Sequence, residues 1–472
     1  MYATAEYAEP VVGHAMPELT ARLARMEAHS QQLEAAIEQI VSAVLEVKQA
    51  AEAPASQLLA LQTKVKELEQ SLALEKACRD FTHVSHMHPK SRSIVFAGTL
   101  YFGDNVKYAW LGLRERAKAL GIDCWFLPYH AEQQAQVESL GGRCLPASYA
   151  NWSPDHLHAA LSAGVLITSD HLLNPNPYAA ALLAGARHIQ LWHGVSIKEI
   201  GLRNLPSGRS LGPHLARVLA TTGRYARMVG TTTRGESEWR RWFSFERYAP
   251  IGYPRNDVLY REPTEADLTN ADRSSYNIAR AMLTKGRRVF LYAPTFRDAD
   301  RGRWLMDAGL GQIAETVSRQ GDVLIVNLHP VEQVLLPQLR AALPGVHFVA
   351  PGTDAYPLLG QASVLITDYS SIMFDFLHVK RPILLYRPDH ATYTGKSRRL
   401  FDDKLATLPG PMAETPAALI NLLRSPQLGQ TGAHRRAREQ LLNDWFDHQD
   451  GDACGRLLMQ IEEELGTVQQ TR

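Results

Sequence analysis

From Leu19 the apolar residues fall at Leu19, Leu23, Met26, Leu33, Ile37, Ile40, Val44 and Val47, with charged residues and glutamines between them. Apart from Ser30 in one seam position, the steps alternate between four and three. A stripe of that period buries itself by packing on another helix. Ala53-Pro54-Ala55 interrupts it, because proline lacks the helix N–H and its ring clashes with the preceding turn. Leu61, Val65, Leu68 and Leu72 resume the pattern to about Ala77. The pattern predicts a disordered stretch over 1–16, then an α-helical coiled coil over 17–80. A hairpin folded on itself would satisfy the seam, but a first run of about four heptads favours a homo-oligomer.

A polar link follows over 81–92, FTHVSHMHPKSR. His83, His86 and His88 cluster there, yet no carboxylate or cysteine completes a metal site beside them. From Ser93 the texture changes. SIVFAG, DCWFLP, VLITSD, HIQLWH and MVGTTT read as buried strands, with helical stretches between them. After Tyr253 the texture begins again with RRVFLYAPTF, DVLIVNLHP, VHFVA, SVLITDYS and PILLYRP. Strand–helix alternation implies parallel sheets covered on both faces. The near-repeat of Val165–Asp170 and Val364–Tyr369 suggests two similar units in tandem. The fold expected is α/β: two doubly wound domains, 93–254 and 255–472, facing a cleft.

Composition narrows the function classes. At 472 residues the chain exceeds what one hydrophobic core holds, and a formal charge of +1 argues against nucleic acid as a partner. The four cysteines, Cys78, Cys124, Cys144 and Cys454, have no CxxC spacing and read as scattered thiols of a reducing compartment. No signal peptide and no run of about 18 apolar residues is apparent, so the chain is expected in the cytoplasm. Motifs of P-loop ATPases, HExxH proteases and GxSxG hydrolases are absent.

Ligands of such sheets sit beyond the carboxyl ends of the strands, and the unusual residues gather there. His193 ends the strand of LWHGVSIKEIG, with Gly194 allowing close approach and Lys198 adding a cation. His329 holds the corresponding place in VNLHP of the second domain. In ITDYSSIMFDF, Asp368 ends a strand and Ser370-Ser371 precede an apolar helix start. Such a start offers free N–H groups and a positive dipole end to a pyrophosphate. Thr295 and Arg297 follow the strand of YAPTFRD, and an arginine fork suits phosphate oxygens. GYPRNDVL adds Arg255 and Asn256 at the crossing between domains.

Taken in order, these segments resemble the CDP-glycerol glycerophosphotransferase family of teichoic-acid primases and polymerases. GDNVKYAWLGL is similar to the family's DNPKALYEYL, with Val106 in place of proline. QLWHGVSIKEIG resembles its WHG signature; GYPRNDVL, YAPTFRD, the strand ending in His329, and TDYSSIMFDF with KRPILLY follow in the family's order. FDDKLATLPGP and QDGDACGRL resemble its late motifs. The resemblance spans roughly Ser93 to Leu465 and departs from the family at Gly395–Leu400, where an Arg-Gly-(Phe/Tyr) element is usual.

The resemblance implies a GT-B-like pair of Rossmann-type domains, with catalysis by His193 and His329. Thr295, Arg297, Asp368, Ser370, Ser371, Arg255 and Asn256 would bind the donor. Asp104, Asn105, Lys107, Gly194 and Lys198 would position the acceptor. The donor would be CDP-glycerol or CDP-ribitol, with no tightly bound cofactor, no protein-held metal and the Mg²⁺ requirement open. The acceptor would be a glycan or lipid-linked glycan such as teichoic acid or capsule polysaccharide. The basic stretch HRRAREQLLNDWF at His434–Phe446 offers either a peripheral contact with the inner membrane face or a solvated surface. A nucleotide-sugar glycosyltransferase and an inactive coiled-coil scaffold are the competing readings.

Overall fold

The short β-branched runs are strands, buried along almost their whole length, which is why they read as continuous apolar runs rather than as alternations. The computed structural model describes residues 39, 41–42, 55–170, 174–196, 225–295, 297, 304–390 and 407–470. Nearly all of the first apolar run, Pro54, Lys198 and Gly395–Leu400 lie outside them. Residues Met1–Asp80 form one compact unit and Phe81–Arg472 another.

In the first unit the second apolar run lies in the helix Ala55–Met87. That helix continues through His83 and His86, so the link expected over 81–92 is helical as far as Met87. The reason is tertiary. Phe81 packs edge-on against Tyr178 with ring centroids 5.5 Å apart, and buried Ser85 donates its hydroxyl to the Leu182 carbonyl at 2.6 Å.

The second unit holds two six-stranded parallel sheets. The first has the order β2-β1-β3-β4-β5-β6, from Ser93–Ala97 (β1), Asp123–Leu127 (β2), Val165–Thr168 (β3), Arg187–Gln190 (β4), Tyr225–Val229 (β5) and Phe245–Ala249 (β6). The second has the order β12-β11-β10-β7-β8-β9. Its strands are Val289–Ala293 (β7), Val323–Val326 (β8), His347–Phe348 (β9), Val364–Thr367 (β10), Ile383–Tyr386 (β11) and Met412–Ala413 (β12). Every pairing is parallel. The VLIT repeats are β3 and β10, each pairing with the first strand of its own sheet.

One apolar cluster runs through both sheets, from Ile94, Phe96 and Val165 to Val289, Leu291 and Leu365. The last helix, Ala453–Gln470, lies on the first sheet although it follows the second in the chain. Its Glu464 is fully buried between Arg187, 2.7 Å away, and Arg227, 2.5 Å away. An ion group at that depth ties the C-terminus to β4 and β5, because neither charge can return to water without unpacking the helix.

Candidate active site

In the second sheet β7 and β10 are neighbours whose connections leave in opposite directions, the arrangement at which doubly wound sheets take ligands beyond the strands' carboxyl ends. Thr295 and Arg297 follow β7; Asp368, Ser370 and Ser371 follow β10. Asp368 is fully buried, and its Oδ1 accepts from the Thr295 amide at 2.8 Å. Arg297 lies 2.8 Å from Asp368 Oδ2 and donates through Nε to Asp389 at 2.6 Å. Burial alone would weaken its charge, but the bond to Asp389 and the field of Asp368 raise its pKa, so the guanidinium stays cationic. It is a fixed charge braced by carboxylates rather than a free fork. Thr295 Oγ1, by contrast, is buried without a hydrogen-bond partner.

The helix start after Ser370-Ser371 differs from the expected one. The helix Ile372–Phe376 has five residues, and Ser371 has helical backbone angles with no side-chain cap bond. So short a helix has little macrodipole. What this turn offers an anion is its hydroxyls and its first N–H groups.

From the first sheet, β4 leads into a sharp turn. Trp192 has φ 58° and Gly194 φ 145°, both on the positive side. His193 stands exposed between them, its ring stacked on Trp192 at 4.2 Å. Its Nδ1 lies 3.2 Å from the Ser169 carbonyl, at the end of β3. A carbonyl only accepts, so that contact assigns the proton to Nδ1 and leaves the lone pair on Nε2. A Cβ added to Gly194 would lie 2.9 Å from Ser371 Oγ and 3.2 Å from an Arg255 nitrogen. The turn carrying His193 therefore meets the turn after β10. His329 is exposed just beyond β8, and its carbonyl accepts from the Glu332 amide at 2.8 Å.

The remaining candidates are buried. Lys107 is 0% exposed, with Asp354 at 2.7 Å and the carbonyls of Asp267 and Thr269 completing its shell. Arg255 is bound by Asp104 at 2.6 Å and Asp375 at 2.8 Å. Asn105 donates to the Trp192 carbonyl at 2.8 Å and accepts from the Arg255 amide at 3.1 Å. Asn256 is buried, and neither atom of its amide has a partner. Among the described residues no three His, Cys, Asp or Glu side chains gather in a way that could hold a metal ion.

A family model for CDP-glycerol:poly(glycerophosphate) glycerophosphotransferase matches residues 129–463. The chain belongs to that family. It is 27% identical over 285 residues to the teichoic acid glycerol-phosphate transferase of Staphylococcus aureus, covering 58% of this chain and 70% of that protein. It is 27% identical over 261 residues to the teichoic acid poly(glycerol phosphate) polymerase of Bacillus subtilis, covering 50% of this chain and 32% of the polymerase. The match thus spans about a third of that polymerase's length. A structure of the wall teichoic acid polymerase TagF, soaked with CDPG, superposes with a TM-score of 0.63 at 18% identity. It covers 86% of this chain and 99% of that one, and so shares the fold.

For a glycerophosphotransferase of this family, several residues at the same strand ends escaped the sequence reading. Arg387 follows β11, buried over the Tyr369 ring at 4.7 Å, and its Nε has no partner. Burial lowers its pKa. Glu332 accepts from Trp304 Nε1 at 3.0 Å, and burial raises its pKa. Asp375 lies inside the apolar run IMFDF, and a lone carboxylate there was the available signal. Asp354 had none, since its partner Lys107 is 247 residues away in the chain.

Proposed function

We propose that the chain transfers glycerol phosphate from CDP-glycerol to a hydroxyl of a cell-surface glycan acceptor. The observation that carries this reading is the contact between the Gly194 turn and the Ser371 turn, which brings the turn of the exposed His193 to the strand ends of the second sheet. The acceptor oxygen attacks the β-phosphorus and forms the new P–O bond. The bond from that phosphorus to the bridging oxygen breaks, and CMP leaves with the electron pair. His193 Nε2 takes the acceptor's proton. His329 and the fixed charge of Arg297 stabilise negative charge on the phosphates, while Thr295 and the Ser370-Ser371 turn hold the pyrophosphate.

We assign the donor to the second, GT-B-like half (255–472) and the acceptor to the first (93–254). Leu61, Val65 and Leu68 stay only half-buried on their helix, which supports self-association through 17–80. Among the described residues no helix is long and apolar enough to cross a membrane.

The test is a donor panel. The full chain is incubated with CDP-glycerol, CDP-ribitol and common UDP- and CMP-sugars, with and without Mg²⁺. Nucleotide release and the acceptor's mass are followed. Release of CMP with addition of glycerol phosphate is expected; release from a sugar nucleotide alone would overturn the proposal.

A further inference from the structure

We propose that Arg255, gripped by Asp104 and Asp375, is a positioning residue that fixes the turn presenting His193, rather than a contact to the donor. This rests on the reading of His193 as the proton acceptor.

Three successive carbonyls of that turn are each claimed by a side chain from another element. Trp192 O accepts from Asn105 Nδ2 at 2.8 Å, His193 O from Arg255 Nη1 at 2.9 Å, and Gly194 O from the Tyr253 hydroxyl at 3.1 Å. The turn needs such holding. Trp192 has φ 58°, a region that a residue with a Cβ avoids unless its surroundings over-determine it.

Arg255 is itself immobilised from both sheets. Nη1 also donates to Asp104 at 2.6 Å, at the start of the helix Asp104–Ala119 that follows β1. Nη2 donates to Asp375 at 2.8 Å, in the helix that follows β10. Asp375 Oδ2 accepts in addition from the Tyr356 hydroxyl at 2.8 Å, and the Tyr356 ring lies 5.0 Å from the guanidinium. Arg255 is 4% exposed and Asp375 1%, so little of either reaches a ligand. Both guanidinium Nη atoms are spent on protein oxygens. The network therefore has one exposed product, the orientation of the His193 ring, and it registers that ring against the second sheet.

The test compares Arg255→Lys, Asp375→Asn and His193→Ala in the full chain, with kcat and donor KM measured by CMP release and folding checked by thermal melting. Each network variant is expected to lower kcat by about 10-fold or more while donor KM stays within about 2-fold. In the His193→Ala background, adding Asp375→Asn should change the remaining rate less than about 2-fold, because the network acts through a side chain already removed. Losses that multiply would overturn the proposal while leaving His193 as the acceptor of the proton. A raised donor KM with unchanged kcat would overturn it in favour of a donor contact. A His193→Ala variant at the wild-type rate would remove the underlying reading and the proposal with it. If Arg255→Lys does not fold, Asn105→Ser, which removes the donor to Trp192 O, must show the same absorbed loss, and full multiplication there overturns the proposal equally.

Discussion

Gly194 and Ser371 meet so closely that a Cβ on the glycine would sit 2.9 Å from the serine hydroxyl. The glycine also has φ 145°, which a residue with a side chain rarely adopts. Closeness and backbone angle together make this the tightest demand on residue type at the candidate site. Gly194→Ala is expected to lower kcat by about 10-fold or more, with the melting temperature shifted by a few degrees at most. A variant with the full rate of CMP release would show that the two turns need not meet.

General-base assistance is worth about 10²–10⁴-fold, so His193→Ala should lose at least that range of turnover. The ring is exposed, so the fold should survive, which circular dichroism and melting would check. His329→Ala should lose about 10²–10³-fold if the imidazole stabilises phosphate charge. Rates within twofold of wild type in either variant would withdraw that residue from the chemistry.

Lys107 and Asp354 are shut off from solvent together. Lys107→Met leaves a buried carboxylate with no opposite charge, held only by the neutral Tyr108 hydroxyl and Tyr356 amide, and should cost about 3–5 kcal/mol in urea unfolding. Lys107→Met with Asp354→Leu should recover much of that loss, because no unpaired charge then remains. No recovery would mean that the loss comes from packing instead.

Two imidazoles, buried His378 and partly buried His188, set an acid limit. Burial pushes the His188 pKa down to about 3 and that of His378 down to about 4, where Asp375 opposes the shift and Lys380 adds to it. Both are neutral in the fold near pH 6, whereas a histidine of the unfolded chain takes up its proton near pH ~6.5. Below that pH the unfolded state binds more protons, so stability falls as pH drops from about 6.5 towards 4. The slope is about 1.4 kcal/mol per pH unit for each histidine. Denaturation midpoints measured from pH 7 to pH 4.5 check this, and His188→Gln should flatten the slope if it still folds.

The strands and the polar residues at their carboxyl ends were legible in the chain because a buried parallel strand announces itself as an apolar run. The next polar residues then necessarily emerge at the sheet's rim. His193, His329, Thr295 and Asp368 were found in that way. The helix over Ala55–Met87 was legible only to Ala77 from its seam; its last turns exist because Phe81 and Ser85 dock on residues near 180.

What the sequence determined alone was the α/β alternation, the tandem of two parallel sheets and the residues standing at their rims, since each depends on local periodicity. Only the tertiary structure decided what those residues touch. In the sequence Arg255 is a candidate donor contact at the crossing between domains, and Lys107 a candidate acceptor contact that the family resemblance implies. Their carboxylates come from 151 and 247 residues away, where no local pattern can register them. Burial then obliges such charges to pair.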